Sequence, residues 1–256
     1  MAHTVPTLRG TRKRMSMHRA ILATVFLLPG LACSSPRPAG AGTPGDTDVH
    51  DLPLVDMPVR DTAGTRFAVL LTGDGGWAHL DKAVAERLTA AGIPVVGFNS
   101  RDYLETRRTP EEVARAVTRV IRHYARAWHR DSVVLVGYSR GADVLPFVVN
   151  RLPAGLRHRT VLLALFAPAE RAGFQFHWVD LLVNTSSPGD LPVLPQIDSI
   201  PGIPALCVYG KDEEESLCRQ HLPSNVTVIE RAGGHHLGGD YRALGDLVVR
   251  ALDAEP

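Results

Sequence analysis

Aromatic side chains make up only 6% of this 256-residue chain, and the formal net charge is +1. Near-neutrality leaves no basic surplus for a nucleic-acid partner. The first 33 residues contain no acid, only Arg9, Arg12, Lys13, Arg14 and Arg19. Without them 23 basic residues face 27 acidic ones, a balance of −4, which is further from a polyanion binder. The apolar run from Ala20 to Leu28 is too short to span a bilayer comfortably. No internal repeat is apparent. What the chain does have is 45% hydrophobic residues, rich in Val, Leu and Ala, with 23 Gly and 19 Pro. That composition argues against disorder and gives one globular domain enough length to bury a full core.

The basic stretch, the short apolar run and the small residues up to Cys33 have the order of a secretory signal over 1–33. Initiation at Met15 or Met17 gives a more ordinary leader. Cys33 stands where a lipoprotein carries its lipidated cysteine, although Gly30 occupies the place of the usual Leu; lipidation and plain cleavage both stay open. Residues 34–50 read as a flexible linker and 51–256 as the folded domain. In an exported chain, Cys207 and Cys218 are expected to form a disulfide.

From Phe67 onward, Val- and Leu-rich strands alternate with helical segments. Strands are expected over Phe67–Thr72, Ile93–Phe98, Ser132–Val136, Thr160–Phe166, Ile203–Tyr209 and Asn225–Ile229. Helices are expected over Leu80–Ala91, Pro110–Trp128, Ala142–Leu152 and Asp240–Leu252. Such repeated βα units imply an α/β fold, with a mostly parallel central sheet and helices on both faces. The irregular stretch 167–199 is placed to overhang the C-terminal edge of the sheet.

Val133–Gly141 runs from a strand through Gly-x-Ser-x-Gly toward a helix, the setting in which a serine hydroxyl is held up as a nucleophile. A serine needs a base, and the base an orienting acid. Asp212, after a strand, is the candidate acid, with Glu213 its nearest rival. His235 and His236, after the following strand, are the candidate bases; the glycine pair before them favours His235 slightly. Backbone donors for an oxyanion are expected from Arg140 and from Asp74 or Gly75. The glycine-rich turn at 73–76 lacks the Gly-Lys-Ser/Thr ending of a phosphate loop, and the paired histidines lack a third zinc ligand. Neither a metal nor a cofactor is expected.

The chain resembles the VirJ/AcvB bacterial virulence proteins from about Phe67 to Leu252. The motifs are Gly73-Asp-Gly-Gly-Trp77, Leu80-Asp-Lys82, Gly137-Tyr-Ser139 through Phe147, Asn150-Arg-Leu152, Tyr209–Glu213 with Ser216-Leu-Cys218, and Gly233–His236 with Gly239-Asp-Tyr241. The resemblance implies the α/β-hydrolase fold and a periplasmic location. It also implies hydrolysis of aminoacyl-phosphatidylglycerol, notably the lysyl form, for AcvB-like members, and secretion-system partners for VirJ members. The expected activity is therefore ester cleavage of an aminoacylated phospholipid. A general esterase or thioesterase, and a non-enzymatic assembly factor, are the alternatives. An aminoacyl ester carries an α-ammonium, so a carboxylate is expected nearby. Asp74 and Asp143 are the candidates, with Trp77 as a further substrate contact.

Overall fold

The computed structural model describes Met1 and residues 47–60, 63–177 and 189–254. The expected leader, Cys33 and the linker up to residue 46 lie outside the described residues. The linker was expected to reach residue 50, but chain that packs begins earlier. Val49 is buried, and the Thr47 and Asp48 carbonyls bond to His123 and Arg119.

The strands are β1 (Leu54–Met57), β2 (Arg66–Leu71), β3 (Val95–Phe98), β4 (Ser132–Tyr138), β5 (Thr160–Phe166), β6 (Arg171–Ala172), β7 (Leu191–Pro192), β8 (Ala205–Gly210) and β9 (Val226–Arg231). The helices are α1 (His79–Ala90), α2 (Ser100–Leu104), α3 (Pro110–Ala127), α4 (Arg140–Arg151), α5 (Ala154–Arg157), α6 (Leu194–Asp198) and α7 (Tyr241–Asp253). One seven-stranded sheet runs in the order β1-β3-β2-β4-β5-β8-β9, parallel except for β1 at one edge. β6 and β7 pair separately as an antiparallel ribbon.

The alternation of β2 shows how the layers form. Phe67, Val69 and Leu71 point toward Val113 and Val117 of α3 and Val144 and Val148 of α4. Ala68 and Leu70 point toward Val84 and Leu88 of α1 and Leu244 and Val248 of α7. Because both faces are covered, β2 is apolar at every position from Phe67 to Leu71, which is why it reads as an unbroken run. At its start α3 carries Pro110 behind Thr109, whose hydroxyl accepts the Glu112 N–H while the Glu112 carboxylate accepts that of Thr109. This capping box satisfies two donors that the first helical turn leaves open.

Several boundaries differ from expectation. β3 begins at Val95 because Pro94 has no N–H to give to a ladder. α4 begins two residues early, at Arg140, because the turn at Ser139 leads straight into it. β1 and α2 were not foreseen: each is only four or five residues long, too short for periodicity to register. Among the described residues no helix is long and apolar enough to cross a membrane.

Cys207 in β8 and Cys218 in a 3-10 turn over Leu217–Arg219 form a disulfide, with Cα atoms 5.5 Å apart. Such bridges persist in oxidising compartments. This one closes the loop between β8 and the turn. Replacing both cysteines by alanine is expected to cost about 3 kcal/mol through the freed loop entropy of the unfolded chain. Denaturant titration checks this, and an unchanged midpoint would contradict it.

Candidate active site

The turn between β4 and α4 is tightly constrained. A Cβ on Gly137 would lie 2.6 Å from the Ala142 nitrogen, and one on Gly141 only 2.2 Å from the Leu71 carbonyl oxygen. Both glycines of the motif are thus required by space. Ser139 between them has φ 52° and ψ −125°, a conformation a side-chain-bearing residue rarely adopts. The surroundings hold it there: its N–H donates to Phe166 and its carbonyl accepts from Asp143. The strained turn lifts the serine hydroxyl above the C-terminal edge of the sheet.

The Ser139 hydroxyl lies 2.8 Å from His235 Nε2, and His235 Nδ1 lies 2.6 Å from Glu213 Oε1. With Nδ1–H donating to the carboxylate, Nε2 accepts from the serine, the tautomer a base requires. The other Glu213 oxygen accepts the Gly210 N–H at 3.0 Å. Burial pushes the Glu213 carboxyl up. Hydrogen bonds from His235 and Gly210, with the charges of His235 and Arg219, outweigh burial and hold it below its ordinary value.

This corrects the expectation for Asp212. Its N–H donates to Gly233, and the turn leaves the residue exposed while bringing Glu213 inward. The extra methylene of glutamate supplies the reach. The two loops meet closely here: a Cβ on Gly210 would strike the Gly234 carbonyl at 2.1 Å. His236 is exposed, and it is His235 that bonds to Ser139; the His236 Nδ1 lies 3.3 Å from the Tyr138 hydroxyl, which donates to the His235 carbonyl.

The turn after β2 runs beside Ser139, since a Cβ on Gly73 would come within 3.0 Å of Ser139 Cβ. Asp74 and Gly75 follow in that turn, and Arg140 supplies the first backbone N–H of α4. The Asp74 side chain is already occupied. Both its oxygens accept from the Arg140 guanidinium, which also donates to the Gly173 and Gln175 carbonyls at 3.2 and 3.3 Å. Arg140 thereby clamps three segments together. This corrects the assignment of Asp74 as an open carboxylate for substrate. Trp77 is corrected as well: its ring lies against Gly97 of β3, within 2.3 Å of where a Cβ would stand, and is not in the wall of the cavity beside Ser139.

That cavity has a volume of about 570 Å³, and Ser139, Asp143, Phe174 and Glu215 contribute to its wall. Residues 169–177 and 189–191 form much of the remainder, in keeping with the overhang expected of 167–199. Asp143 is buried and accepts the Ala169 N–H at 2.7 Å. Burial raises its carboxyl to about 7, against the lowering effects of that N–H and of Arg140 and His235. The folded protein therefore holds a proton on Asp143 that the unfolded chain has lost, so stability declines as pH rises from about 4 to about 7. Asp143→Asn is expected to flatten this part of the pH–stability curve, read by thermal melting between pH 4 and 8. Asp81, buried in α1 and likewise raised to about 7, keeps its own contribution in the variant.

Sequence spacing had no means to reach the Arg140 clamp or the arginines of the cavity wall, because their partners lie on separate loops. Among the described residues no group of three or more His, Cys, Asp or Glu is placed to hold a metal.

The sequence model of a family described as "Bacterial virulence protein (VirJ)" matches residues 65–255. No match is found among the curated proteins. Among solved structures, the fold is shared with Est1E from Butyrivibrio proteoclasticus at 15% identity and a TM-score of 0.55, covering 81% of this chain and 98% of that one. The Pyrococcus furiosus esterase Pf2001 is similar at 14% identity and 0.57, covering 85% and 97%. An alpha-beta serine hydrolase homologue from Coxiella burnetii is similar at 18% identity and 0.53, covering 78% and 90%. At these identities the likeness concerns the fold, which is that of the α/β-hydrolases.

Proposed function

The chain belongs to the VirJ family of bacterial virulence proteins, and from that premise we propose that it is a periplasmic serine hydrolase cleaving aminoacyl-phosphatidylglycerol, the lysyl form above all. The observation that carries this reading is the hydrogen-bonded chain Ser139–His235–Glu213 at the wall of a cavity.

In the mechanism, His235 Nε2 takes the Ser139 proton as Oγ attacks the ester carbonyl between amino acid and glycerol. Glu213 holds the ring in orientation and stabilises its positive charge. The oxyanion is met by the N–H of Arg140 and that of Asp74 or Gly75. His235 then protonates the departing glycerol oxygen, and water, activated by the same histidine, releases the amino acid from Ser139. Arg140, through its grip on Asp74, keeps the two donor segments at a set separation. Asp143, one helical turn after Ser139, is the carboxylate for the α-ammonium; a bound cation pulls a carboxyl raised to about 7 toward its ionised form.

The test is lipid analysis of cells carrying Ser139→Ala. Accumulation of aminoacyl-phosphatidylglycerol supports the reading. Unchanged lipids with an intact secretion phenotype would instead support the non-enzymatic assembly role, and turnover of simple acyl esters alone would support a general esterase.

A further inference from the structure

Besides Arg140, which is paired with Asp74, three arginines stand in the wall of the Ser139 cavity: Arg107 and Arg108, between α2 and α3, and Arg171 of β6. Some surface arginines are matched with acids, as in Arg87–Asp246, Arg119–Asp51 and Arg151–Glu111, and others, such as Arg157 and Arg219, donate to backbone carbonyls. Among the described residues none of the three cavity arginines has a carboxylate ion-pair partner. Arg108 lies over the Tyr103 ring, 4.7 Å from its centre, and its Nε donates to the Tyr103 carbonyl at 3.4 Å. Its backbone N–H donates to the Phe174 carbonyl at 2.9 Å, fixing this segment to the cavity's far wall. The Arg171 guanidinium donates to the Asp190 carbonyl. Carbonyls and a ring hold Arg108 and Arg171 in place. Of the acids nearby, Glu170 accepts from Gln220, and Asp190 shares the cavity wall. Glu112, whose carboxyl the Thr109 N–H lowers first, lies close enough to Arg108 for that charge to lower it further.

We infer that Arg108 and Arg171, assisted by Arg107, form an anion subsite that takes the phosphodiester of the substrate while its ester carbonyl lies at Ser139. The assignment rests on the ester-hydrolase reading above and deepens it. A guanidinium offers paired N–H donors that match phosphate oxygens, and it does so best where no carboxylate competes. Glu215, together with Asp143 once a bound cation has drawn it to its ionised form, gives the same cavity a negative side. The cavity thus suits an ester with a cationic acyl part and an anionic alcohol part, and it discriminates against uncharged lipids.

The experiment compares four soluble esters of glycerol: lysyl or acetyl on the acyl side, with or without a phosphate on the glycerol. The amine comparison reads the proposed function, and the phosphate comparison reads the arginines, so either can fail alone. The protein is expected to favour the phosphate-bearing member of each pair by about tenfold in kcat/KM, mainly through KM. In Arg108→Gln/Arg171→Gln that ratio is expected to fall to about one, with Arg108→Lys/Arg171→Lys in between. Melting curves verify folding, and the exposed Arg171→Gln alone serves if the double variant does not fold. As a measurement independent of any variant, glycerol 3-phosphate is expected to compete with substrate where glycerol does not. Equal turnover of phosphate-bearing and phosphate-free esters overturns the subsite, as does a preference that survives both Gln substitutions. Inhibition by inorganic phosphate without a phosphate preference among the esters overturns it too, in favour of a site for a free anion.

Discussion

On the proposed mechanism ester hydrolysis is expected to fall about a millionfold in Ser139→Ala and about ten-thousandfold in Glu213→Gln, the sizes of effect known for serine triads, while Asp212→Asn stays within a few-fold. The reason lies in the tautomer. Glu213 accepts from His235 Nδ1 with one oxygen and from the Gly210 N–H with the other. A glutamine that keeps its oxygen toward Gly210 turns an N–H₂ toward the histidine. The ring must then carry its proton on Nε2, facing Ser139, where it cannot accept the serine proton. Flipping the amide saves the histidine contact but sets its N–H₂ against the Gly210 N–H. Glu213→Asp separates charge from reach, because it keeps the carboxylate and shortens the arm by a methylene; it is expected to recover only part of the loss. The decisive measurement is kcat for the four variants at saturating ester, with melting curves alongside. A large loss in Asp212→Asn with little in Glu213→Gln would reverse the assignment of the acid.

The second large effect concerns stability. Gly141→Ala is expected to destabilise the fold by about 4 kcal/mol or to prevent its formation, at the upper end of single-residue effects. The added methyl would stand 2.2 Å from the Leu71 oxygen, 2.6 Å from the Leu71 carbon and 2.8 Å from the Thr72 oxygen. All three atoms are backbone, at the end of β2, which is hydrogen-bonded to strands on both sides. No flexible side chain can move to make room. The neighbouring Gly155→Ala, where nothing lies within 4 Å, is the matched control and is expected to leave the melting temperature nearly unchanged. Similar melting temperatures for the two variants would show that the turn relaxes where the packing implies it cannot.

The boundary between what local sequence conveys and what it does not follows the range of the interactions. Strands buried on both faces, such as Phe67–Leu71 and Val133–Val136, must be apolar at every position, so their existence and parallel arrangement were legible. The two glycines around Ser139 were legible from the Gly-x-Ser-x-Gly pattern itself; the crowding at Gly137 is local, from the first turn of its own helix, whereas that at Gly141 comes from Leu71 and Thr72 at the end of β2. The antiparallel edge strand β1 was not legible. It is only four residues long, and what defines it is pairing with β3 across some forty positions.

The same division runs through the site. Ser139 and the pair His235-His236 stand out from their flanking glycines and strand ends alone. Choosing between the histidines, and between Asp212 and Glu213, needed the approach of two loops at Gly210 and Gly234, a contact between residues 24 positions apart. The role of Asp74 turned on a partner 66 positions away, Arg140, which occupies the carboxylate that the sequence left open. Trp77, which by residue type suits a substrate, lies against Gly97 because that missing side chain leaves room for its ring. By itself, then, the sequence determined the fold class, the raised serine and the short list of its partners, because backbone sterics and strand burial act within a few residues. Which acid meets the histidine and which carboxylate the Arg140 guanidinium occupies were decided only by the tertiary structure, where loops far apart in the chain compete for the same hydrogen bonds.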